Sequence, residues 1–301
     1  MTDVALPKGV SMVDEPMPAI TISTRAVEAT VTLQGAQIVG WKPAGADPVL
    51  YLSEDSRWQP GVAIRGGIPV CFPWFGGGRN HLATSASHHE PVVTLEPSHG
   101  WARLVDWTLV DASATRDGTV SLTWELSGAA LANLPYDRHV PSDASVRYTM
   151  HLGAELVLEF EVISGGSLID VETLLHTYLA VPDVEQVTIS GLDQSPYWGK
   201  VERKARTQTG DLVISGQVDR VYDTSATVRV ATGQRTLEIT TTGSKSTVVW
   251  NPGATKAQTM DDFGDQDYRR MVCVESGNVL HNAITVAPGQ SQVMTVNYRI
   301  I

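Results

Sequence analysis

The sequence predicts an all-β protein organised as one large domain, with two antiparallel sheets stacked face to face. Three observations point there. Apolar and polar residues alternate with period two through several segments, helical periodicity is scarce, and no Pro/Gly/Ser-rich linker, composition shift or fixed-period repeat divides the chain.

Taken in order, residues 1–20 read as an extended lead-in to a domain spanning 21–301. In RAVEATVTLQGAQIVGWK, Val27, Ala29, Val31 and Leu33 alternate with Glu28, Thr30, Thr32 and Gln34, and Gly35 supplies a turn or bulge. The pattern returns in TVSLTWELSG (Val120, Leu122, Trp124, Leu126), in ELVLEFEVIS (Leu156, Leu158, Phe160, Val162) and in SQVMTVNYRI (Met294, Val296, Tyr298, Ile300). Each is a strand with one face toward water. SGAALANLP and TKAQTMDDF suit a helical turn or two and are too short for more.

Charge narrows the ligand. With 22 Lys+Arg against 33 Asp+Glu, the net charge of −11 lacks the basic footprint of a nucleic-acid binder, so an anionic ligand needs a local cluster of cations. Cys71 in PVCFP and Cys273 in MVCVE sit in apolar runs and read as buried reduced thiols. The first residues carry acids where a secretory leader is basic, and no apolar run approaches the ~20 residues that span a bilayer. The expectation is a cytoplasmic protein with no membrane partner.

Four segments break the strand pattern. In RGGIPVCFPWFGGG (residues 65–78), Gly66 and Gly67 permit close backbone approach or positive φ, and Pro69 and Pro73 stiffen the rest of the segment. Arg65 is then held at a fixed point, either as a fork for phosphate or carboxylate or as a structural partner of an acid beneath the loop. SHGWARLVDW places His99 and Arg103 four residues apart. His176 interrupts the apolar run LLHTYLAV, either as a satisfied core residue or at the wall of a cleft. Glu275 ends the apolar run in MVCVESGNV, where a carboxylate must be paired, protonated or turned to a polar site. Asp219 and Arg220 in QVDRVYDT, with Trp250, Asn251 and Lys256 further on, read singly as turn and edge residues. His81, His88 and His89 show no ligand spacing, and no metal is assigned.

Together and in this order, AIRGGIPVCFPWFG, HGWAR, LHTYLAV, DRVY, VVWNPG followed by KA, M and DF, and MVCVESGNV resemble the glucose-6-phosphate 1-epimerases, within the aldose 1-epimerase (galactose mutarotase-like) superfamily. The resemblance implies an antiparallel β-supersandwich with a sugar phosphate on its concave face. It makes His176 and Glu275 the catalytic pair and Arg65, Arg103 and Asp219 substrate contacts, with His99 a second cavity histidine. Two departures stand out: Ser98 where many relatives carry Gln, a substrate contact whose shorter hydroxyl is expected to reach the sugar through water, and Gly199 where many carry Asp.

Anomer exchange implied by this family needs a base at the O1 hydroxyl and an acid at the ring oxygen. Glu275 as carboxylate and His176 as imidazolium fill those roles, with Arg65 and Arg103 on the 6-phosphate, Asp219 accepting sugar hydroxyls, and His99 hydrogen-bonding the moving oxygen to orient C1. No cofactor or covalent intermediate is called for, Trp74 or Trp250 offers a flat surface to the ring or simply packs, and the expected assembly is a monomer or weak homodimer. The alternatives are a neutral-aldose 1-epimerase, a non-catalytic carbohydrate-binding protein, and a glycoside hydrolase using Glu275 with Asp219.

Overall fold

The computed structural model describes residues 4–78, 94–131 and 140–301, so His81, His88 and His89 lie outside the described residues. The fold is all-β and antiparallel. A nine-stranded back sheet runs in the order Leu212–Val213, Thr188–Ser190, Val228–Ala231, Thr236–Thr242, Ser291–Ile300, Leu156–Ile163, Ser145–Leu152, Val120–Ser127 and Thr108–Ala114. Three of its strands are segments whose alternation is plain in the sequence. In Val120–Ser127, Val120, Leu122, Trp124 and Leu126 are buried, and in Leu156–Ile163, Leu156, Leu158, Phe160 and Val162 are buried, with the intervening side chains more exposed.

The second large sheet has a backbone of seven strands in the order Lys204–Thr207, Pro196–Gly199, Val218–Asp223, Ser246–Asn251, Met271–Asn278, Thr173–Leu175 and Val70–Cys71, and Tyr178–Ala180 joins it beside Met271–Asn278. One face packs on the back sheet through Phe72, Leu175, Tyr222, Val249 and Val274; Phe72 and Phe160 meet edge to face at 6.0 Å. The opposite face forms the floor of a cavity. With both faces covered, all eight residues of Met271–Asn278 are buried, which is why this strand shows no alternation in sequence.

A four-stranded sheet, Val10–Val13, Ala19–Ser23, Val27–Thr32 and Ile38–Pro43, draws its first strand and the start of its second from the lead-in. A register shift falls at Thr30/Val31, and Gly35 turns at φ +75° with its N–H on Val105. Of the two short α-helices among the described residues, Gly128–Leu131 lies in the first segment marked for a turn. The other, Gly253–Ala257, begins ahead of TKAQTMDDF because the Asn251 carboxamide accepts the Gly253 N–H at 2.8 Å.

Candidate active site

Sheet register builds the centre of the site. Leu175 pairs with Ser276 and Tyr178 with Cys273, in one unbroken register, so the two residues between them on each strand place His176 directly opposite Glu275. The ladder is interrupted there: His176 donates its N–H to Pro69 while Val274 donates to the carbonyl of Thr177. The side chains meet as a cross-strand pair, His176 Nε2 to Glu275 Oε1 at 3.5 Å. Glu275 in turn faces Val248, while the neighbouring row on the same face runs Asp219, Trp250, Cys273, Tyr178.

Above this floor is a cavity of about 430 Å³, a size suited to a small ligand. Arg65, Ser98, His99, Arg103, His176, Asp219 and Glu275 all line it, so residues scattered over 211 positions of sequence converge. Arg65 is paired with an acid, Asp262, and lines the cavity as well. Its Nε and Nη2 donate to Asp262 Oδ2 at 3.2 and 3.0 Å and Nη1 donates to the Tyr178 hydroxyl at 3.0 Å, leaving two of the guanidinium's five N–H bonds for a ligand. Gly66 and Gly67 serve the fold rather than a ligand: a Cβ at Gly66 would meet Tyr51 O at 2.5 Å and one at Gly67 would meet Ile38 O at 2.1 Å, both at positive φ.

Arg103 sits on a 3-10 turn, Ala102–Leu104, and donates from Nη2 to the Ser98 carbonyl at 2.7 Å, while its buried Nε has no partner among the described residues. Ser98 therefore lines the cavity and also holds Arg103 through its backbone carbonyl. Asp219 is held by Lys200 at 3.4 Å, and Lys200 also lies over the Phe75 ring at 4.5 Å. Lys200 and Lys256 line the cavity too, so four basic side chains face two acidic ones, Asp219 and Glu275, in a protein of net charge −11.

Electrostatics set the protons differently from the expected imidazolium and carboxylate. Burial holds His176 well below the usual imidazole range, and Arg103 and Arg65 push the same way. Burial lifts Glu275 well above the usual carboxylate range, opposed by Lys200 and reinforced by Asp219. Both directions favour the uncharged pair, imidazole beside carboxylic acid, because burial penalises charge on either group. Glu275 Oε2 and His176 Nδ1 are buried without partners among the described residues, leaving lone-pair or donor capacity for a ligand.

Several residues reached the site without a sequence signal of their own. Tyr178 stacks on His176 with ring centroids 4.8 Å apart, Asp262 grips Arg65, and Lys200 reads in SPYWGK as an edge-strand charge. Buried Glu172 accepts the Phe75 and Leu280 N–H groups and so braces the loop that forms the wall. Conversely, Arg220 turns away to Gln208, Asn251 is spent on the Tyr268 and Met271 carbonyls, and Trp74 packs with its indole N–H on Pro97, whereas Trp250 lines the cavity. His176, Cys273 and Glu275 bring donor atoms within 4.8 Å of one another, a set with the chemistry for a soft divalent ion; an ion there would occupy the acid/base pair.

The sequence profile of the aldose 1-epimerase family matches residues 18–299. The chain belongs to the aldose 1-epimerase family. Among curated epimerase relatives, one from Escherichia coli (strain K12), named "putative glucose-6-phosphate 1-epimerase", is 34% identical over 264 residues, covering 85% of this chain and 82% of the relative. One of the same name from Cenchrus ciliaris is 30% identical over 277 residues, covering 87% and 78%. Among solved structures, a putative mutarotase from Salmonella typhimurium superposes with TM-score 0.82 at 28% identity, covering 100% of this chain and 96% of the other. A galactose mutarotase-like protein from Clostridium acetobutylicum, at 12% identity and TM-score 0.70 over 97% of each chain, shares the epimerase fold.

Proposed function

We propose that this protein is a hexose-6-phosphate mutarotase, interconverting the α and β anomers of D-glucose-6-phosphate by acid/base ring opening and closure. The observation that carries the reading is the cross-strand pair of His176 and Glu275 at the foot of a cavity lined by Arg65, Arg103, Lys200 and Lys256. Acid and base stand side by side, and the cations suit a phosphorylated sugar better than a neutral one.

In the productive form the shared proton moves from Glu275 to His176 across their 3.5 Å contact. Glu275 takes the O1 proton, the C1–O5 bond breaks with its electrons passing to O5, and His176 supplies the proton O5 needs. Rotation about C1–C2 and the reverse transfers close the ring on the other face. The pair holds one proton before and after opening, so no exchange with solvent is required. Asp219 accepts sugar hydroxyls, its orientation fixed by Lys200. Arg103, whose Nε has no partner among the described residues, and the two remaining N–H bonds of Arg65 hold the phosphate, so that O1 and O5 face the pair. A cytoplasmic monomer or weak homodimer completes the reading, consistent with two buried free thiols and with no described helix long and apolar enough to cross a membrane.

Anomer-exchange NMR with purified protein tests this. Protein-dependent exchange on glucose-6-phosphate, weaker on glucose and without net product, is expected. Absence of exchange would leave a carbohydrate-binding protein, and net glycoside cleavage a hydrolase; faster exchange on glucose would make it a neutral-aldose epimerase.

A further inference from the structure

His99 lines the same cavity, and its ring is gripped from behind. Gly76 accepts the His99 backbone N–H at 2.7 Å and donates its own N–H to His99 Nδ1 at 3.3 Å, while Cys71 Sγ lies 3.2 Å from that same Nδ1. A backbone N–H only donates, so Nδ1 must present a lone pair, and a thiol facing that lone pair must donate as well. The proton of a neutral ring is then on Nε2, the nitrogen left to the cavity.

The grip is rigid. Cys71 is fully buried in the Val70–Cys71 strand opposite Leu174, and His99 sits at φ +67° ahead of Gly100, where a Cβ would meet Phe72 O at 2.2 Å. Phe75 and His176 pack edge to face against the imidazole at 5.2 and 5.4 Å. Burial also keeps the Cys71 thiol protonated and, with Arg103 and His176 acting in the same direction, keeps His99 uncharged.

We propose that Cys71 and Gly76 are positioning groups that fix His99 as its Nε2–H tautomer, so that His99 acts in anomer exchange as a hydrogen-bond donor to O1 and takes no part in proton transfer. As O1 gives up its proton to Glu275, negative charge gathers on it, and a preset N–H stabilises that charge without reorganising. With Nδ1 tied up, His99 has no lone pair to offer the cavity and cannot stand in for Glu275 as base. The catalytic consequence rests on the mutarotase reading; the tautomer does not.

The test is ¹⁵N–¹H NMR of protein labelled at histidine, together with Cys71→Ser and Cys71→Ala. Expected are an unprotonated Nδ1 and a protonated Nε2 for His99 in the wild type, retained in Cys71→Ser, whose hydroxyl still donates. Cys71→Ala leaves Nδ1 with the longer Gly76 contact alone, so part of the population should shift to the Nδ1–H tautomer, with a loss of about 3- to 10-fold in kcat and KM for glucose-6-phosphate little changed, the scale of one neutral hydrogen bond. A proton on Nδ1 in the wild type overturns the proposal, as does a folded Cys71→Ala with unaltered kcat and His99 spectrum. Should Cys71→Ala fail to fold, the wild-type spectrum and the kcat of Cys71→Ser decide, a fall in Cys71→Ser to below a tenth counting against. Absence of any anomer exchange would remove the mutarotase reading, while the spectra still decide the tautomer.

Discussion

An imidazole and a carboxyl within 3.5 Å titrate as one unit, and the one-proton state is the working state in the proposed mechanism. Glu275→Gln and His176→Asn should each remain folded and lose at least ~100-fold in exchange rate, measured by NMR, the scale of a positioned acid or base. The proton placement also has a stability signature. The carboxyl of Glu275 is raised above its ordinary 4.5, so the folded state binds more protons than the unfolded and its stability falls as pH rises past that value. His176 is depressed below its ordinary 6.5, so stability falls as pH drops below that value. Glu275→Gln is therefore expected to have a higher Tm than wild type at pH 8, and His176→Asn to lose less stability than wild type between pH 6.5 and 5. A wild-type His176 ring titrating by NMR near 6.5 would contradict the placement. Arg103→Ala should lower kcat/KM for glucose-6-phosphate by about ten- to a hundredfold and leave exchange on glucose nearly unchanged, as expected for a charge-assisted contact. At this scale the sequence exposes polar groups set in apolar runs, His176 and Glu275 above all. Lys200 stays hidden because it reaches the cavity from the turn after Pro196–Gly199, and Tyr178 and Asp262 because they act on lining residues, His176 and Arg65, across strands and a loop, of which local context says nothing.

Elements that hold the rim are tied by the same arginine that is proposed to meet the phosphate. The helix Gly253–Ala257 brings Lys256 to the cavity, and the loop after it is fastened by Asp262 to Arg65 and by Asp261 to Arg57. Two causes of lost affinity can be separated here. Asp262→Ala should loosen this loop and raise KM several-fold, whereas Arg65→Ala should raise it by tenfold or more, because it removes the phosphate contact as well. Equal effects, with no further loss in the double variant, would mean Arg65 only fastens the loop. Strand legibility divides on burial: Val120–Ser127 and Leu156–Ile163 alternate because one face is wet, while Met271–Asn278 is covered on both faces and reads as a plain apolar run.

Across the whole molecule, a buried hydroxyl pair links the back sheet to the chain beside the site. Thr177, next to His176, meets the hydroxyl of Tyr298 at 2.6 Å, with Tyr298 on the central strand of the back sheet, Ser291–Ile300. Tyr298→Phe removes one partner of a buried hydrogen bond and should cost about 1–2 kcal/mol in denaturant unfolding. It should also lower kcat by a few-fold with little effect on KM, since it frees the backbone that aims His176. An unchanged kcat would confine Tyr298 to packing. Stacking of two sheets was legible in composition and alternation, but which face of the second sheet is hollow was not, because cavity floor and core interface are both built from Val, Leu, Trp and Tyr.

The pairing of His176 with Glu275 exists only because two short strands on either side of a break keep the same register against Met271–Asn278. A slip of one residue would send every side chain of the slipped strand to the other face. Catalysis is thus a checksum on strand alignment. A preparation refolded from denaturant could recover its full β-sheet signal by circular dichroism and still report, through specific activity, the fraction of molecules whose strands re-paired correctly.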